Sequence, residues 1–240
     1  MQPRYNLVHL ILASVVALVL TSLMVVADAQ AQIAFSSDRD GNTEIYVMDA
    51  DGKNQRKLTN NGFSNTVPSW SPGGKHIAFV SEREGNFAGK RLQIYVMDAN
   101  GKNQRKLSRN PFAEWDPAWS PDGKRIAFTS NVDFHSHIYV IDAVGGKNLR
   151  RIGQHEQDGS DPSWSPDGKH IAFASNREGN TEIYVMNADG ARQVRKRTKD
   201  GSDNTDPAWF DPAFAIEIAP FSVSPVGKKF TMWGGLKQVD

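Results

Sequence analysis

The sequence predicts an all-β chain, a β-propeller of four-stranded antiparallel blades, about four in number, with an incomplete fifth as the alternative. Three observations predict it. The triplet Ile-Ala-Phe recurs at Ile33, Ile77, Ile126 and Ile171, and Ile-Tyr-Val recurs at Ile45, Ile94, Ile138 and Ile183. Trp-Ser-Pro stands at Trp70, Trp119 and Trp164, with a decayed copy at Trp209. Successive Ile-Ala-Phe copies lie 44, 49 and 45 residues apart, which is the length of one propeller blade and too long for a leucine-rich or ankyrin unit. Strand signals without helical periodicity complete the assignment.

The fourth repeat shows how one unit becomes one blade. Pro162-Ser163-Trp164-Ser165 reads as a short strand. Pro166-Asp167-Gly168 follows as a turn in which Pro fixes φ and Gly accepts a positive φ. Ile171 to Ser175 is the second strand, and Arg177-Glu178-Gly179-Asn180 is the next turn. Glu182 to Met186 is a third strand rich in β-branched and aromatic residues. Asp189-Gly190 is a hairpin signal, and Gln193 to Thr198 is the fourth strand. Ile183 and Val185 share one face of the third strand, Tyr184 and Met186 the other, so both faces need cover, as stacked blades provide.

The fourth strands carry basic residues at Arg56-Lys57, Arg105-Lys106, Arg150-Arg151 and Arg195-Lys196-Arg197. Charge on an outermost strand blocks edge-to-edge aggregation, and pairs that recur once per blade do not converge into a nucleic-acid patch. The formal net charge of +1 agrees, since nucleic-acid binding needs a large basic excess on one face. Ring closure stays open. The first repeat lacks a Trp strand, whereas Pro207-Ala208-Trp209 is an opening strand with no blade after it. A degenerate hairpin from Ser224 to Trp233 is the other candidate for closure.

Length and composition fit one globular domain. A mature chain of roughly 200 residues buries about 70% of its unfolded surface. The chain has no cysteine, which excludes disulfides, thiolate metal sites, a cysteine nucleophile and a lipoprotein anchor. At the N-terminus Arg4 precedes an uncharged, mostly apolar run from Leu7 to Val26. Ala27-Asp28-Ala29 and Ala29-Gln30-Ala31 follow as small-x-small cleavage sites. This predicts a signal peptide over residues 1–31, with an uncleaved membrane anchor as the alternative. Propeller repeats are expected over 32–210 and a tail over 211–240, with the protein periplasmic or secreted.

The unit Pro-x-Trp-Ser-Pro-Asp-Gly-Lys-x-Ile-Ala-Phe, then Arg-x-Gly-Asn-x-Glu-Ile-Tyr-Val-Met, then Asp-Gly and a basic strand, resembles the WD-like propeller repeat of the TolB family. The resemblance covers roughly Ile33 to Trp209 in four in-phase copies. It implies an exported binding propeller, since that family's namesake is a periplasmic partner of an envelope lipoprotein in the Tol-Pal system. The family pattern has an α/β domain before its propeller and six blades, whereas here the repeats follow the cleavage sites directly and number about four. The same repeat also resembles propellers fused to prolyl-oligopeptidase-type peptidases.

Strand order assigns each loop to a face. The Ser-Pro-Asp-Gly and Asp-Gly turns lie on one face, where Gly52 to Leu58 recurs unchanged from Gly101 to Leu107, as turn geometry requires. On the other face the loops diverge: Phe63 in one, Phe112, Glu114 and Trp115 in the next, His155, Glu156 and Asp158 in the third. Varied loops on a fixed scaffold are where recognition is built. A five-residue insertion around Asn86 to Arg91 joins them. A partner-binding surface is therefore expected at Phe87, Arg91, Phe112, Trp115 and His155, with a protein partner and no nucleic acid. The membrane would be met only through the N-terminal segment, if that is uncleaved.

Asp116, Asp161 and Asp206 each precede the Pro of Asp-Pro-x-Trp, with Val67 in the fourth copy. They are expected to ring the channel mouth, where a calcium ion would find hard oxygen ligands, or to initiate their own turns. His135-Ser136-His137 is read as a solvated turn, two histidines being too few for a metal site, and no other cofactor is expected. Asp49-Ala50-Asp51-Gly52 lacks the ligands of a calcium loop and is read as a hairpin. No Gly-x-Ser-x-Gly is present, and the 31 residues after Trp209 are too few for a hydrolase domain. The expectation is a non-enzymatic protein-binding propeller at the cell envelope. The alternatives are a lyase-like propeller acting on polysaccharide, with histidines and carboxylates converging on one pocket, and a structural propeller that completes itself with another copy.

Overall fold

The computed structural model describes residues 31–84, 91–153, 159–190 and 194–211. The chain divides into a unit over 1–209 and a segment over 210–240, of which Phe210 and Asp211 are described. The N-terminal apolar run and the Ser224–Trp233 hairpin lie outside the described residues.

Four antiparallel sheets follow one another along the chain. The first has three strands, β1 (Gln32–Ser37), β2 (Glu44–Asp49) and β3 (Arg56–Lys57). The second has four: β4 (Asn65–Trp70), β5 (His76–Ser81), β6 (Gln93–Asp98) and β7 (Arg105–Lys106). The third comprises β8 (Glu114–Trp119), β9 (Arg125–Val132), β10 (His135–Asp142) and β11 (Arg150–Ile152). The fourth comprises β12 (Ser160–Trp164), β13 (His170–Ser175), β14 (Glu182–Asn187) and β15 (Val194–Lys196). The order within each four-stranded sheet is sequential, the up-and-down meander of a propeller blade. Among the described residues the first blade has no opening strand, as its sequence indicates.

Two local expectations need correction. The opening strand of the fourth blade runs Ser160–Trp164, starting two residues earlier than the Pro162 read from sequence. Polar residues before the Pro still pair, because a bulge between Ser160 and Ser163 absorbs the Pro's missing donor. His135-Ser136-His137 is strand rather than turn. The reversal falls at Asp133 and Phe134, with φ of 52° and 67°, and His137 is buried within β10.

Each pair of consecutive blades shares one apolar layer. Ile45, Val47 and Leu58 of the first blade meet Ile77, Phe79, Tyr95 and Met97 of the second. Val80, Ile94, Val96 and Leu107 meet Trp119, Ile126, Phe128 and Ile141 of the third. Ile138, Val140 and Ile152 meet Trp164, Ile171, Phe173, Tyr184 and Met186 of the fourth. Successive side chains on a strand point to opposite faces. On β6, Ile94 and Val96 therefore serve the third blade while Tyr95 and Met97 serve the first.

Polar ties follow the same repeat. Trp119 Nε1 donates to the Ser69 carbonyl at 3.1 Å, Trp164 Nε1 to that of Ala118 at 3.1 Å, and Trp209 Nε1 to that of Ser163 at 3.0 Å. Each Trp thus binds the main chain of the preceding blade, at the residue just before that blade's own Trp. The first Arg of the basic pair in each of the first three blades does the converse. Arg56 donates to the Ala99 carbonyl at 3.1 Å, Arg105 to that of Ala143 at 2.8 Å, and Arg150 to those of Ala188 and Asp189, both at 2.8 Å. Edge protection, the role read from sequence, is therefore accompanied by a tie to the following blade. That blade's hairpin comes so close that a Cβ on Gly146, at φ +59°, would lie 1.8 Å from the Leu107 carbonyl oxygen. Only glycine fits there.

Candidate partner-binding face

The meander places the loop before each opening strand, and the turn between second and third strands, at the same end of every blade. In the first blade this loop is held from beneath. Glu44, 2% exposed, accepts from the Thr59 hydroxyl at 2.5 Å and from the Asn65 side-chain amide at 2.8 Å, and Thr59 Oγ1 in turn accepts the Ile45 N–H at 2.9 Å. The loop top is an Asx turn in which Asn61 Oδ1 accepts the Phe63 N–H at 3.0 Å. Phe63 is lifted into solvent, 43% exposed.

The second blade exchanges the partners. Gln93 stands where Glu44 would be, and Glu114 replaces Asn65. Glu114 accepts from the Ser108 hydroxyl and from the Ile94 N–H, and burial pushes its carboxyl up from the usual range. The Gln93 amide donates to the Phe112 carbonyl at 2.6 Å, and Asn110 Oδ1 accepts the Phe112 N–H at 3.2 Å. Phe112 is thereby exposed in the same pose as Phe63, one blade on. The third blade adds Phe134 at its second turn, 98% exposed. Of the four exposed phenylalanines among the described residues, three lie on this face, and Phe210 follows Trp209.

The expected partner-binding residues divide. Phe112 is where the sequence places it. Arg91 is exposed, forms an isolated bridge with Arg83, and lies near Glu84. Trp115 is in β8 rather than in a loop, half-buried against the core between the second and third blades. Phe87 and His155 lie outside the described residues. Phe134 escapes a reading of the sequence because a Phe carries no signal for a positive-φ turn.

Arg39, Arg83 and Arg177, at the start of the turns on this face, are committed to structure. Each guanidinium stands over the Phe and Tyr rings of its own blade, at 4.7 Å from Tyr46, 4.1 Å from Tyr95 and 4.6 Å from Tyr184. The acidic residue nearby completes the arrangement: Asp40 and Glu84 accept the hydroxyls of Tyr46 and Tyr95. Lys57, Lys106 and Lys196 pair with Asp40, Glu84 and Glu178 at 3.7, 3.6 and 3.2 Å.

Asp116, Asp161 and Asp206 sit within the opening strands or their equivalent, not at the entrance to them. With Val67 they share one conformation, φ of 54°, 55°, 52° and 51°. In the three blades where that strand is paired, this residue falls in the β-bulge. Asp tolerates the left-handed region and a β-branched residue does not, so backbone geometry alone accounts for Asp before this Pro. Val67 is the strained exception, and it is 45% exposed. Val67→Asn should accordingly raise stability by about 1 kcal/mol, or about 2–4 °C in Tm, measured by thermal unfolding. An unchanged or lower Tm would contradict strain at this position.

Asp116 and Asp161 are brought together. Thr129 Oγ1 donates to Asp116 at 3.2 Å and Ser160 Oγ to Asp161 at 2.6 Å. Burial first, and the neighbouring Asp161 carboxyl second, push the Asp116 carboxyl up to about 7. No three His, Asp or Glu among the described residues are placed to share a metal ion, so the three aspartates do not form a common cage. On the opposite face a groove of about 410 Å³ between the third and fourth blades is lined by Arg125, Lys169, His170, Asn187 and Asp189. These residues belong to the repeated turns and the strands they join.

Sequential four-stranded sheets packed face to face, with a variable loop end and a repeated turn end, define a β-propeller. Residues 27–111 and 86–216 match the TolB beta propeller domain. The chain belongs to that family. Among curated relatives it is 41% identical over 56 residues to the Tol-Pal system protein TolB of Desulfosudis oleivorans, covering 23% of this chain and 13% of that protein. It is 48% identical over 46 residues to the Tol-Pal system protein TolB of Geobacter sulfurreducens, covering 19% and 11%. Among solved structures, TolB from Acinetobacter baumannii superposes with a TM-score of 0.60 at 26% identity, over 74% of this chain and 44% of that one. An oligogalacturonate lyase in complex with manganese shares the fold at a TM-score of 0.51 and 17% identity, over 64% and 41%. The chain thus matches only a small part of the length of its curated relatives.

Proposed function

We propose that this is an exported, non-enzymatic propeller of the cell envelope that binds a protein partner through the loop face. The observation that carries the reading is the set of three phenylalanines, Phe63, Phe112 and Phe134, held out in water on that face by buried polar groups or a tight turn. Exposed aromatic side chains that recur on one variable face are what a protein partner would use as anchors, since aromatic residues dominate binding energy at interfaces. Arg91 rims the same end. Curated relatives named for the Tol-Pal system support a protein partner in the envelope, and the N-terminal apolar run with its paired cleavage sites supports export to the periplasm.

The test is affinity capture from an envelope extract with the wild-type chain and a Phe63→Ser, Phe112→Ser, Phe134→Ser triple variant. The captured protein should bind the variant at least ~30-fold more weakly, as loss of even one such anchor implies, with Tm unchanged. Val144→Ser, at an 81% exposed site in a hairpin of the opposite face, should bind as wild type. Equal retention by the triple variant would sink the reading.

A further inference from the structure

Among the described residues, the two ends of the blade series are unfinished in complementary ways. Trp70 Nε1 is buried without a hydrogen-bond partner, although its counterparts in Trp119, Trp164 and Trp209 each bind a carbonyl of the opening strand one blade back. The first blade has no opening strand among the described residues, so none of them offers that carbonyl. The same gap uncovers Ile33, 42% exposed, whereas its counterparts Ile77, Ile126 and Ile171 are fully buried. At the other end, the segment 204–209 reads Asn-Thr-Asp-Pro-Ala-Trp and repeats the opening-strand pattern. Its Asp206 adopts the same positive φ, and Trp209 is docked on Ser163 as an opening-strand Trp should be. Yet among the described residues it is paired in no sheet.

We propose that Asn204–Trp209 of one copy is the missing opening strand of the first blade in a second copy. The strand is already seated against the fourth blade of its own chain. Among the described residues, no strand of that blade touches a strand of the first, so these residues make no closure within one copy. Pairing with another copy extends the sheet by edge addition and brings its first blade onto the half-covered Ile183 and the adjacent Val185. Two chains joined at both ends would bring together eight of the described blades, within the range propellers use.

The register follows from the complete blades. Thr66 opposes Val80 and Ser69 opposes Ala78 in the second blade, so Thr205 should oppose Ser36, and Ala208 should oppose Ala34 with its carbonyl offered to Trp70. Both Ser36 and Thr205 are exposed, and the chain has no cysteine of its own. Ser36→Cys and Thr205→Cys chains, mixed and oxidised, should give a disulfide-linked dimer that neither variant gives alone, since directly opposed strand residues lie close enough to bridge. A chain carrying both substitutions should be linked to other copies. Absence of the mixed dimer, with both variants melting as wild type, would overturn the proposal. So would a double variant whose thiols close within one chain. Neither outcome bears on capture of a partner by the loop face.

Discussion

Phe128→Ala should lower stability by about 3–5 kcal/mol. Phe128 is fully buried in the layer between the second and third blades, and its ring stacks on Tyr139 at 5.9 Å. The vacated volume is flanked by β-strands whose main chains are fixed by pairing on both sides, so the site cannot collapse to fill it. Domains hold only about 5–15 kcal/mol in all, and in a linear series of repeats each interface is a separate contribution. The expected result is a melt shifted by roughly 6–20 °C, read by circular dichroism. A loss below about 1 kcal/mol would mean that the second and third blades do not share this layer.

The second large effect depends on pH. In the fold the Asp116 carboxyl titrates near 7, well above its ordinary value of 3.8, so the folded chain holds a proton that the unfolded chain releases. Stability from this group is complete below about pH 4 and declines as pH rises toward 7. Asp116→Asn removes the ionisation, keeps an acceptor for the Thr129 hydroxyl, and tolerates the left-handed backbone. At pH 8 the variant should be more stable than the parent by about 2 kcal/mol, after allowance for the water that still reaches the pair. At pH 4 the two should melt together. A difference independent of pH would show that Asp116 and Asp161 do not share a buried environment.

What is readable in the sequence is what hydrophobic pattern and turn chemistry encode. Ile-Tyr-Val-Met runs with apolar side chains on both faces do serve two interfaces, and among the described residues neither the Trp209 segment nor the first blade gains the strand that its sequence pattern omits. What is not readable depends on partners distant in sequence. Arg56 and Lys57 look alike as an exposed basic pair, yet one reaches Ala99 of the next blade and the other pairs with Asp40 of its own. Glu44 and Asn65 exchange their acidic and amide roles with Gln93 and Glu114 across two blades, a swap that no spacing rule announces. The divergent loops point to Phe112 but also to Trp115, because pattern alone does not show that β8 begins at Glu114.

The arginine ties run one way along the chain, from a side chain on one blade to peptide oxygens on its successor. Every peptide unit carries such an oxygen, so the receiving blade needs no matching residue. A repeat gained or lost by gene duplication or deletion would leave no joint without its mate. Blade number is therefore free to drift between relatives while the manner of stacking stays the same.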